Sequence, residues 1–286
     1  MISTPSQGLA ICAIDAFSKV PFGGNGATVV LLDSPAASAW MQALAAELAQ
    51  SETAFLWFNG GQWCLRWFTP SCEVPLCGHA TLAAALALCN WQKISIGNEY
   101  LFLTRSGELR IEIHGTNNAS LDIPACGLLP RNHDSWMAEL LGISPLAQWS
   151  SELSYGVLLV PPEYPLERLD PADPNWTNGL EKAWMVMQQA SQPIDYQLRF
   201  FAPGLGISED PVTGSAHALV APWWCEHLGL KRVKGWQPSH RPGGMDCEPI
   251  SDQKVRITGN GLLLWQGILP WKSIDNELDS WQLNNK

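Results

Sequence analysis

The stretch "LRWFTPSCEVPLCGHATLAAALAL" (Leu65–Leu88) returns in the second half of the chain as "LRFFAPGLGISEDPVTGSAHALVAPWW" (Leu198–Trp224). Each copy runs from an apolar strand through a proline to a glycine that opens an alanine-rich helix. A plan written twice, about half a chain apart, predicts two lobes built alike. In the first copy, "CGHATLAAALALC" is apolar nearly all round, so its helix belongs inside a sheet rather than on a surface.

Strand and turn signals extend that plan outward. "AICAIDAFS" and "TVVLL" read as strands joined by the Gly-Pro loop "KVPFGGNGA". "SPAASAWMQALAAELAQ" predicts an amphipathic helix, with Ser34 as its N-cap, Pro35 at its first position, and Trp40, Leu44 and Leu48 on one face. "SETAFLWF" and "GQWCLRWFTP" form a hairpin across "NGG". In the second half "YGVLLVP" and "YQLRFFAP" read as strands, and "KVRITGNGLLLWQGIL" as a closing hairpin turned at "GNG". The Gly, Asn and Pro signals of "HGTNNASLDIPACG" place a boundary near residue 117. The expected class is α+β: two pseudo-symmetric lobes, residues 1–116 and 117–286, each a mostly antiparallel sheet rolled around a central helix. The last strand or tail is free to cross back to the first lobe.

Composition bounds the function. The chain has 286 residues, 46% of them hydrophobic and 15% charged, enough to bury a sizeable core. A net charge of −10 with scattered basic residues argues against nucleic-acid binding. The longest apolar run, about ten residues from Ala80, falls well short of the roughly 20 that span a bilayer. No basic segment leads into an apolar one at the N-terminus, so a cytoplasmic protein is expected. The eight cysteines form no C-x-x-C pair and read mostly as small buried hydrophobes; their spacing supports no metal site. The fifteen tryptophans read first as core or interface filling, and second as a stacking platform for an aromatic substrate.

Helix starts carry the functional signal. First-turn N–H groups lack partners within the helix and sit at the positive end of its dipole, so they attract anions. Gly78 and Gly214 open the backbone at those two places. Two such starts facing one cleft would suit a small carboxylate-bearing metabolite.

The motifs "DAFSKVPFGGNGATVVLL", "SETAFLWF", "RWFTPSCEVPLCGHATLAAA" and "GISEDPVTGSAH" occur in this order along most of the chain. Together they resemble the PhzF-like family, named for a phenazine-biosynthesis isomerase and itself similar in fold to diaminopimelate epimerase. The resemblance implies a cofactor-independent, homodimeric isomerase or epimerase that moves a proton. It also implies Glu52 as the acid/base, supported by His79, Asp210 and Ser215. Gly78 and Gly214 would hold a developing oxyanion, while Asn25 and Arg241 are further substrate-binding candidates.

Other readings stay open on sequence alone. The epimerase relatives use two cysteines, and only Cys77 stands at a helix start here, which disfavours a two-thiol racemase but leaves Cys77 as packing residue or auxiliary acid. A Cys77–His79 hydrolase is weakened because residues two apart on a helix face apart. A non-catalytic small-molecule-binding protein on the same fold is the remaining alternative.

Overall fold

The computed structural model describes residues 8–132 and 134–270. They divide into two compact units. The first comprises the described parts of 1–22, 26–121 and 259–286, and the second 23–25 and 122–258. The tail from residue 271, whose return to the first lobe the sequence left open, lies outside the described residues.

In order, the chain forms β1 (Leu9–Ala16), β2 (Asn25–Leu31), α1 (Ser38–Leu48), β3 (Glu52–Asn59), β4 (Gln62–Phe68), the short β5 (Glu73–Val74), α2 (Gly78–Asn90), β6 (Glu99–Thr104), β7 (Gly107–Gly115) and β8 (Asn118–Pro124). In the first unit β2 and β3 are parallel, β3 and β4 antiparallel, and β4 and β6 parallel. A parallel pair needs a crossover. Helix α1 lies between β2 and β3 in the chain and α2 between β4 and β6, so each crossover is a helix. The hairpin between β3 and β4 turns on Gly60 and Gly61, whose φ of 58° and 88° suit the two-residue turn that matches strand twist.

Alternation along the strands separates two faces. Phe55 and Trp57 of β3, with Phe68 of β4, join a core closed by Met41 and Ala45 of α1. Helix α2 packs against β1, β3 and β7, and every residue from His79 to Cys89 is buried. Its all-round apolar sequence therefore has the surroundings it requires.

The second unit continues with β9 (Leu129–Pro130), α3 (Ser135–Leu141), β10 (Ala147–Ser150), β11 (Tyr155–Leu159), β12 (Ala183–Gln189), β13 (Tyr196–Phe201), α4 (Gly214–Leu228), β14 (Val233–Gln237), β15 (Gly243–Ser251) and β16 (Lys254–Leu269). The pairing order recurs: β11 and β12 parallel, β12 and β13 antiparallel, β13 and β14 parallel. Helix α4 makes the last crossover and packs on β14 and β15. Two 3-10 turns, Leu166–Arg168 and Pro174–Thr177, occupy the stretch where the first unit has α1. With α3 they close a second core over Trp176, Trp184 and Phe201. The strands of each unit therefore carry a central helix on one face and a cover on the other, the α+β plan expected from the repeat.

Two local expectations are corrected. Ser34 is not an N-cap: α1 begins at Ser38 behind Ala37, which offers no capping side chain. The chain stays non-helical through Pro35, and Ala36 is buried in the first core. Trp40, Leu44 and Leu48 do form the half-buried face that the spacing predicted. The "GNG" turn is also absent, because Lys254–Leu269 is one uninterrupted strand. Its early part pairs with β15, and Gly261–Leu269 pairs with β1. Gly259 and Gly261 serve close approach instead of reversal. A Cβ on Gly259 would lie 2.4 Å from Phe17, and one on Gly261 2.6 Å from Leu86 of the central helix.

Among the described tryptophans, Trp57, Trp67, Trp176, Trp184 and Trp224 are almost fully buried core residues. All eight cysteines are free and six are buried. Among the described residues no helix is long and apolar enough to cross a membrane.

Gly259→Ala should destabilise the protein by about 1–3 kcal/mol, the usual cost of overpacking a filled core. Urea denaturation followed by tryptophan fluorescence measures it; a flexible hairpin turn at this position would instead show no loss.

Candidate active site

Glu52 is the first residue of β3, and His79 lies in the first turn of α2. Both belong to the first unit. Glu52 Oε2 is 2.9 Å from His79 Nε2, with side chains 18% and 6% exposed, and Ser51 Oγ lies 3.2 Å from the same nitrogen. Glu52 Oε2 is shut off from solvent, and its partner there is the His79 ring.

Cys77 joins them. The helical-spacing argument that separates Cys77 from His79 fails, because Cys77 is the N-cap with φ −145° and ψ 110°, an extended conformation outside the helix. Its Sγ lies 3.4 Å from His79 Nδ1 and 3.8 Å from Nε2.

The three groups set one another's ionisation. Burial pushes the Glu52 carboxyl up, but the charge and hydrogen bonding of His79, with a contribution from Ser51, outweigh it and leave the pKa below the ordinary value. Burial pulls His79 down, yet the Cys77 sulfur and Glu52 carboxylate prevail and hold its pKa well above the histidine norm. Burial and the Glu52 charge both push Cys77 up, keeping it a thiol. The resting cluster is therefore carboxylate, imidazolium and thiol.

A second cluster stands at the start of α4 in the second unit, where Asn25 also belongs. Asp210 Oδ1 accepts from Asn25 Nδ2 at 2.6 Å, and Oδ2 accepts from Thr213 Oγ1 at 2.6 Å. Asn25 Nδ2 also donates to the Val212 carbonyl. Gln237 donates to the Asp210 carbonyl and accepts the Thr213 N–H at 2.6 Å, bracing the turn from both sides. Gly214 and Ser215 are the first two residues of α4, and Tyr155 hydrogen-bonds Ser215. Arg241 donates from Nε to the Gly24 carbonyl and from Nη2 to that of Gly23. It thus clamps the loop that carries Asn25.

Behind each helix start lies an ion pair that the sequence reading passed over. Arg66 of β4 grips Glu73 through Nε–Oε1 at 2.7 Å and Nη2–Oε2 at 2.8 Å. Arg199 of β13 grips Glu209 with the same atoms at the same two distances. Each guanidinium also sits over a phenylalanine ring, Phe68 or Phe201. In each unit that phenylalanine pairs with the glutamate across the strand edge. Arg66 reaches on to Ser38 at the start of α1, and Arg199 to the Leu166 and Leu169 carbonyls of the 3-10 segment. The signal was legible: "EVPLCG" and "EDPVTG" share E-x-P-x-x-G, each following an L-R strand.

Removing one partner of such a buried pair leaves an uncompensated charge. Arg199→Met should therefore cost about 3–5 kcal/mol in urea unfolding, and Arg199→Met with Glu209→Leu should recover most of it.

Sign fixes the pH behaviour of the Glu52–His79 pair. The raised His79 pKa contributes stability that is complete below pH 6.5 and lost as pH rises through the folded value. The lowered Glu52 pKa contributes stability that is complete above pH 4.5 and lost as pH falls through the folded value. The melting-temperature gap between wild type and Glu52→Gln should be widest between pH 4.5 and 6.5, and the variant's His79 should titrate lower by NMR.

Comparison with known proteins identifies the family and the fold. The family model described as "Phenazine biosynthesis-like protein" matches residues 14–267. An uncharacterized isomerase of Pseudomonas aeruginosa is 38% identical, the match covering 91% of this chain and 98% of that one. The crystal structure of a PhzF-family phenazine biosynthesis protein from Enterococcus faecalis superposes with a TM-score of 0.84 at 30% identity, covering 91% and 98% of the two chains. A predicted epimerase of Pseudomonas aeruginosa, at 23% identity and TM-score 0.70 over 92% and 100% of the chains, shows the same fold. With its repeated helix starts and its epimerase-like architecture, the chain belongs to the PhzC-PhzF, phenazine biosynthesis-like family and is an isomerase.

Proposed function

We propose that the protein moves a proton at carbon in a small carboxylate-bearing metabolite, without a cofactor, and that Glu52 is the acid/base. The observation that carries this is the Glu52–His79 pair at the N-terminus of α2, 2.9 Å apart. An ionised glutamate is ready to accept a proton, but with a lowered pKa it is a weak base. The reaction therefore depends on stabilising the charge left on the substrate.

Two features supply that stabilisation. The His79 imidazolium lies beside the carboxylate, and the first-turn N–H groups of α2 present the positive end of the helix dipole. Glu52 takes the proton from the C–H bond, and the electron pair moves onto the adjoining carboxylate or carbonyl as an enolate. The same carboxyl then returns the proton, on the face it was taken from, to another carbon of the substrate. Within the second unit, Asp210, held by Asn25 and Thr213, and the first-turn N–H groups of Gly214 and Ser215 form a separate set suited to binding the polar groups of a small acid.

A thiol mechanism has one observation in its favour, the closeness of Cys77 to His79. The raised pKa of Cys77 weighs against it, since a proton acceptor must first be a thiolate.

The test is hydrogen exchange into candidate amino-acid-like acids in D₂O, followed by proton NMR. Wild type should exchange one carbon-bound hydrogen. Glu52→Gln should slow that exchange by about 10²–10⁴-fold, the span of a lost general acid/base, and Cys77→Ser by less than about tenfold. Undiminished exchange in Glu52→Gln overturns the assignment, and a Cys77→Ser loss equal to the expected glutamate effect transfers the role to the thiol.

A further inference from the structure

Glu52, Cys77 and His79 come from a strand start, a helix cap and a helix turn, and one ligating atom from each lies within 4.8 Å of the other two. No pairwise spacing in the sequence resembles a metal motif, yet the donors are a carboxylate, a thiol and an imidazole, a set suited to Zn²⁺. His79 Nε2 is the nitrogen both others can share, 2.9 Å from Glu52 Oε2 and 3.8 Å from Cys77 Sγ. In tetrahedral zinc, bonds of about 2.0–2.3 Å set neighbouring donors about 3.3–3.6 Å apart, so small side-chain shifts suffice. Glu52 Oε2 is buried beside the His79 ring, so two of the three donors already face each other out of solvent.

We propose that this cluster binds Zn²⁺ reversibly through Glu52, Cys77 and His79, and that the bound ion closes the proton-transfer centre. On binding, the Cys77 thiol and the His79 imidazolium each give a proton to solvent, and the ion sheds water. Three protein donors leave a fourth position for water or an incoming carboxylate, which marks an exchangeable site rather than a closed structural one. The partial exposure of Glu52 gives the ion a way in. Binding stands on the donor geometry alone; the inhibitory consequence rests on the reading of Glu52 as acid/base, because coordination occupies its lone pair.

Cobalt(II) titration of the whole protein, without substrate, tests the site by absorption spectroscopy. One ion per chain should give a near-ultraviolet sulfur-to-cobalt charge-transfer band with the strong visible bands of four-coordination, and stoichiometric zinc should erase both. Cys77→Ser should abolish the charge-transfer band. Glu52→Gln and His79→Gln should keep the thiol but raise the dissociation constant at least about tenfold. Cys72→Ser, at an exposed cysteine outside the cluster, should change nothing. Weak six-coordinate bands only, a charge-transfer band that survives Cys77→Ser, or one that vanishes in Cys72→Ser overturns the proposal. Should Cys77→Ser fail to fold, unchanged affinity in both Glu52→Gln and His79→Gln overturns it equally. Absence of binding in a protein that still exchanges substrate hydrogen defeats the metal site and spares the acid/base reading; binding without exchange does the reverse.

Discussion

The bidentate arginine–glutamate fork at the end of the L-R strand is the interaction on which each helix start depends. Arg66 with Glu73, and Arg199 with Glu209, tie a strand end to the segment that climbs toward the central helix. Both arginines are almost fully buried. A buried charge is costly unless its hydrogen bonds are met, and here two nitrogens take the carboxylate while others reach the cover on the sheet's outer face. The constraint is geometric as well as energetic, because a planar fork admits few orientations of the loop. Five residues beyond each glutamate the helix begins, at Gly78 or Gly214.

On that shared frame the two copies diverge at their polar and ionisable positions. The N-cap is Cys77 in one and Thr213 in the other; the residue after the glycine is His79 or Ser215; the residue after the fork glutamate is Val74 or Asp210. The first copy therefore assembles an ionised pair and a thiol, and the second a carboxylate held by neutral donors. Glu52 comes from outside the repeat. It enters because β3 is the neighbour of β4, so the strand that carries Glu52 pairs with the strand that leads to α2.

Much of this was legible in advance, for identifiable reasons. The all-round apolar α2, the turn at Gly60 and Gly61, and the two glycine helix starts are local signals, and they survived folding unchanged. Misreadings arose where a local signal served a distant contact. Gly259 and Gly261 look like turn residues but are spaces for Phe17 and Leu86. Ser34 and Pro35 look like a helix start, but Ala36 is buried in the first core and the helix begins only at Ser38. Cys77 and His79 look too near in sequence to meet, and meet because the first is not helical.

By itself the sequence determined the doubled plan, the α+β class, the buried helices and the kinds of side chain available for proton transfer, because periodicity, glycine placement and repeated motifs are properties of short stretches. Only the tertiary structure decided which of those side chains share an environment and in what charge state. Glu52 lies far along the chain from His79, and the ionisation of each is set by burial and by the other's charge, neither of which exists until β3 and α2 have packed together.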